Sequence, residues 1–126
     1  MPKSYPRARA WLEKAAAAGD ARALGNLSWY ALLAREHAQA LDAAERGLKA
    51  HPNHLWIAAN RAHALVLLGR AAEARRAYLA YKGRRLPEDN KTWQQSIADD
   101  FANLRAAGIE HPQMAEIEAA LGTARR

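Results

Sequence analysis

Apolar residues recur along this chain at spacings of three and four, which is the stripe of an amphipathic helix. Leu24, Leu27, Ala31 and Ala34 form one such stripe, and Leu41, Ala44 and Leu48 form another. No segment reads as a strand. Breakers separate the stripes. Asp20, after Gly19, suits a helix N-cap. His51-Pro52-Asn53 stops one helix and starts the next, because proline disfavours helix in the residue before it. Gly69 follows Leu68 as a C′ residue would. Gly108 ends a later stripe, and Pro112 suits a first helical position. The pattern predicts helices over 6–18, 21–34, 38–50, 54–68, 71–83, 91–107 and 112–122. The longest connection, 84–90, is polar, contains Pro87 and reads as a loop prone to disorder. Glu88 and Asp89 there favour the start of the following helix through its dipole. The Arg125-Arg126 end is expected to fray.

The chain partly matches itself when slid by 34 residues. Asn26 falls on Asn60, Ser28 on Ala62, Leu32 on Val66, Leu33 on Leu67, Gln39 on Glu73 and Ala40 on Ala74. The breakers Arg35-Glu36 and Gly69-Arg70 share a phase and weigh more than alanine matches do. A helix pair repeated at this period has too little apolar surface to fold alone, so neighbouring pairs must stack. Small residues such as Ala40, Ala43, Ala62 and Ala74 permit close helix approach. Leu24, Leu41, Leu48, Leu65 and Tyr78 fill the layers, and Trp11, Leu12, Met114, Ile117 and Leu121 belong to the capping helices.

A 34-residue helix pair is the period of tetratricopeptide repeats. Residues 21–54 resemble one repeat through Leu24, Leu27-Ser28, Ala40-Leu41, Ala44, Gly47-Leu48 and Pro52. Residues 55–88 resemble a second through Ala58, Ala62, Leu65, Gly69-Arg70, Glu73-Ala74 and Tyr78, with two departures. Arg61 stands where the first unit has Leu27, and the closing proline slips to Pro87. Ala10-Trp11-Leu12-Glu13-Lys14-Ala15-Ala16 with Gly19-Asp20 resembles the end of a Sel1-type repeat, and other phrases resemble bacterial members. The resemblance covers most of the chain. It implies an all-α, right-handed superhelix of about seven antiparallel helices, with helix 6–18 and helices 91–122 as caps. It also implies a non-enzymatic scaffold for protein–protein interaction.

Composition limits the alternatives. The chain has 126 residues, half of them apolar and a quarter charged, which suits one soluble domain over 1–126. It has no cysteine, so a disulfide framework, a thiolate zinc site, an iron–sulfur cluster and a cysteine nucleophile are excluded. No apolar run nears the roughly 20 residues of a bilayer span, and the N-terminal basic residues lack an apolar stretch behind them. The expected location is the cytoplasm, without membrane insertion. A net charge of +6 favours anionic partners.

In a stack of helix pairs the first helix of each pair lines the concave face. Asn26 and Asn60 recur there, and an amide can pair with the backbone of an extended peptide of any sequence. In the resembled family, asparagines at this phase often do so. Trp29 and His63 share the next phase, Leu33 and Leu67 supply an apolar floor, and Trp56 stands near the groove mouth. These seven are the candidate groove for a protein or peptide partner. A basic cluster, Arg70, Arg75, Arg76, Lys82, Arg84 and Arg85, falls on the opposite side. It offers a nucleic-acid- or acidic-protein-binding alternative, although aromatics are not interleaved with it. The chain could instead be the interaction part of a larger enzyme or effector system, and stacking of exposed ends would give self-association. His51 and His54 flank Pro52 without a third ligand, and His37, His63 and His111 are scattered, so no metal and no cofactor is expected. Asp99 and Asp100, adjacent on a helix, point about 100° apart and do not converge on one catalytic site.

Overall fold

The computed structural model of the chain describes residues 5–87 and 90–123, with side chains from Arg9 onward. The expectations for Glu88, Asp89 and Arg125-Arg126 lie outside the described residues. Those described form seven helices: α1 (Tyr5–Ala17), α2 (Ala21–Leu33), α3 (His37–Ala50), α4 (Leu55–Leu67), α5 (Ala71–Ala80), α6 (Trp93–Ala106) and α7 (Pro112–Leu121). No strand occurs among them beyond one isolated bridge between Arg85 and Thr92. No helix among them is long and apolar enough to cross a membrane.

Local chemistry sets the helix ends. Asp20 caps α2, its carboxylate accepting from the N–H groups of Arg22 and Ala23. Thr92 and Gln95 form a reciprocal capping box on α6. The His111 Nδ1 accepts from the Gln113 N–H ahead of Pro112 at the start of α7. Two predicted bounds shift by more than one residue. α5 stops at Ala80 rather than 83, because the chain turns through Tyr81 and Gly83, the latter at φ 87°. α6 starts at Trp93 rather than 91, where the capping box begins the helix. The Leu86 N–H donates to the Lys91 carbonyl, the Trp93 N–H donates to the Arg84 carbonyl, and Asn90 takes φ 57°.

The helices pack side by side around a buried apolar core. α2 touches α1, α3 and α4; α4 also touches α3 and α5; α7 closes against α5 and α6. Ala40, Ala62 and Ala74 are fully buried, as close helix approach requires, and Leu32, Leu65, Tyr78, Trp93 and Phe101 fill the space between helices. Met114, Ile117 and Leu121 of α7 are buried as cap residues. Trp11 departs from expectation: it is 77% exposed, and α1 is anchored through Ala16 instead. Arg35, in the turn after α2, reaches the Ala107 and Gly108 carbonyls at the end of α6, at 3.4 and 3.5 Å. This side chain ties the end of α2 to the end of α6, so α2, α4 and α6 lie on a common side of the molecule.

Candidate functional site

α2, α4 and α6 border a cleft of about 550 Å³. Arg22 and Asn26 of α2 form one wall, and Ser96, Asp99, Asp100 and Asn103 of α6 form the other. Trp56 of α4 lies between them, and Leu86 and Lys91 of the preceding loop complete the rim.

Three backbone and side-chain devices hold the walls. The first is Gly25. A Cβ there would stand 2.9 Å from Trp56 Cζ3, so only glycine lets the indole lie flush against α2. The second is a buried amide contact. The Asn60 Nδ2 donates to the Gly25 carbonyl at 3.1 Å and to Ser28 Oγ at 2.9 Å, while Ser28 Oγ donates to the same carbonyl at 2.8 Å. These bonds join α4 to α2. The third joins α4 to α6. His63 Nε2 lies 2.8 Å from Asp100 Oδ2, and its Nδ1 lies 2.6 Å from the Tyr78 hydroxyl. A carboxylate only accepts, so Nε2 carries the proton in that contact, and Nδ1 faces the Tyr78 hydroxyl. Phe101 and Tyr78 pack on the same imidazole, at 5.5 and 5.7 Å between ring centroids.

The order Asp100–His63–Tyr78 has the form of a proton relay, yet it ends inside the protein. Tyr78 is completely buried. Burial, aided by the Asp100 charge, pushes its hydroxyl pKa well above the ordinary value, so the phenol stays protonated. The hydroxyl is sealed from solvent, and the three side chains join α4, α5 and α6. Asp99 turns to Lys91 Nζ at 2.5 Å, so the two adjacent carboxylates take separate partners, as their helical spacing requires.

The seven groove candidates divide three ways. Asn26 and Trp56 line the cleft. Trp29, Leu33 and Leu67 are half-buried and pack against the core, with Trp29 edge-on to His63 at 6.4 Å. Asn60 and His63 are 0% and 1% exposed, which corrects their placement on the binding face. Each of α2, α4 and α6 packs on its neighbours, and a side chain aimed at a neighbouring helix meets protein rather than solvent. The whole α6 wall was missed from the sequence. α2 and α4 begin 34 residues apart but α4 and α6 begin 38 apart, so the repeat register does not carry over. The capping pair Thr92 and Gln95 was the signal that could have recovered it.

The basic cluster is partly engaged within the fold. Arg70 pairs with Glu73 through two bonds of 2.9 Å, which hold the Glu73 carboxyl below its ordinary pKa. Lys82 Nζ donates to the Ala120 carbonyl at the end of α7, and Arg85 donates to the Asn90 carbonyl. Arg75, Arg76 and Arg84 are exposed. Among the described residues no three His, Cys, Asp or Glu side chains gather as a metal ion would need. Searches of protein-family models, curated proteins and solved structures return no match to this chain.

Proposed function

We propose that the chain is a tetratricopeptide-type right-handed superhelix. On this reading it works in the bacterial cytoplasm as a non-enzymatic scaffold that holds an extended segment of a partner protein in the α2–α4–α6 cleft. The supporting observation is the cleft's lining. Asn26 and Asn103 stand on opposite walls and their amides make no hydrogen bond among the described residues, while Trp56 offers an aromatic surface between them. Paired amides suit a peptide backbone, and a flanking indole suits an apolar side chain. The walls are held by packed helices and buried hydrogen bonds, so little ordering entropy is lost on the scaffold side when a segment binds.

The test is affinity capture with wild type and with Asn26→Ala/Asn103→Ala, followed by calorimetry on each purified partner. Binding weakened by the double substitution supports the cleft. Partners that bind both forms equally well would remove it.

A further inference from the structure

The two repeat-like units differ at two core positions, and a second cavity lies beside this pair in the second unit. In the first unit Leu24 and Leu27 are buried, 2% and 4% exposed, and Leu24 lies against Gly47 of α3. Thirty-four residues on, the second unit has Ala58 and Arg61. Around these two positions lies a hollow of about 280 Å³ between α3, α4 and α5, and none of its lining residues lines the cleft. Its floor includes Ala58 and Ala77. Arg61, Arg76, Glu73 and the Tyr81 ring stand around it. Tyr81 is held against Trp93, with 4.9 Å between ring centroids.

The charges around the hollow do not cancel. Glu73 is taken by Arg70 through both oxygens, and Arg61 lies 3.4 Å from Glu45. Arg76 forms no salt bridge of its own among the described residues, although its charge, after those of Arg70 and Arg61, helps lower the pKa of the Glu73 carboxyl. One positive charge is left over, beside an apolar floor and an aromatic wall. A guanidinium presents donors in a fixed fork that matches a carboxylate.

We propose that this cavity binds a small organic monoanion, a carboxylate on a compact apolar body. The carboxylate meets Arg76 with Arg61 beside it, and the apolar part sits on the floor that includes Ala58 and Ala77. One surplus charge matches a carboxylate better than a phosphate dianion. None of these residues touches the cleft, so the site is independent of the scaffold reading.

The test follows backbone-amide and arginine Nε–H resonances of the purified chain during titration with phenylacetate, isovalerate and benzoate. Phenylacetamide and phenyl phosphate serve as comparisons. The expected result is saturable shifts at Arg76, Ala77 and Tyr81 with at least one of the carboxylates. Phenylacetamide and the Arg76→Gln variant should bind about tenfold more weakly or worse, the loss of a charge-assisted contact. Ala58→Leu restores the first unit's residue, and it should abolish binding while leaving helix content and melting temperature unchanged or higher. The proposal is overturned if none of the three carboxylates gives saturable shifts. It is also overturned if phenyl phosphate binds more tightly than all of them, or if Arg76→Gln or Ala58→Leu binds as wild type does.

Discussion

The units 21–54 and 55–88 share a period and a helix-pair plan, yet equivalent residues have different fates. Asn26 stays half-exposed in the cleft, whereas Asn60 is sealed between helices and bonds to α2. Trp29 leans on the core from one side, whereas its counterpart His63 is enclosed by Tyr78, Phe101 and Asp100. Leu24 and Leu27 are buried, whereas Ala58 and Arg61 line an open hollow. The lesson concerns position in the stack. α4 has both α2 and α6 as neighbours, and its polar residues are recruited as inter-helix joints. α2 has α4 on one side only, and its equivalent residues keep a face toward solvent.

Exchange across this comparison should give the largest effect. Leu24→Ala makes the first unit resemble the second and should cost about 2–5 kcal/mol, as buried leucine truncations do. Ala58→Leu, the reverse exchange, should leave stability unchanged or raise it because the space exists. Urea denaturation of both variants checks this, and equal losses would show that the hollow is not real.

The asparagine pair should separate next. Asn60→Ala removes the amide that satisfies the Gly25 carbonyl and Ser28 in a buried site, and should cost about 1–3 kcal/mol. Asn26→Ala should stay within about 0.5 kcal/mol of wild type, as surface substitutions usually do. Thermal melts of the two variants decide the matter.

Gly25→Ala sharpens the same joint. The added methyl meets the Trp56 ring, and overpacking of this kind costs about 1–3 kcal/mol. The ring edge can give way, so a value near the lower end is expected. If the clash is the cause, adding Trp56→Ala should return part of the loss, and a double-mutant cycle would measure the coupling.

The smallest effect concerns pH. His37 begins α3, where burial, and then the Arg35 guanidinium, hold the imidazole below its ordinary pKa. The unfolded chain therefore binds a proton more readily than the folded one, and stability falls as pH drops through the ordinary value of about 6.5. His37→Gln should make the melting temperature less steep between pH 8 and pH 5. An unchanged slope would assign the acid sensitivity to other groups.

Periodicity and breakers made the helices legible, because a 3.6-residue stripe and a capping side chain are local properties. The order of the seven helices, the Asp20 cap, the Pro112 start and the burial of Leu65 and Tyr78 could all be read along the chain. The chain's own repeat also marked Arg61 as a departure. What the repeat could not show is which polar residues face a neighbour. That depends on which helix lies alongside, on Gly25 letting α2 and α4 approach, and on a longer loop shifting α6 out of register.

Helix positions and the composition of the core were thus determined within the sequence, since each needs only the chemistry of residues a few positions apart. The cleft's second wall, the sealing of Asn60 and His63 and the hollow beside Arg61 were decided by tertiary packing. Burial is a property of two surfaces in contact, and the second surface here comes from residues tens of positions away.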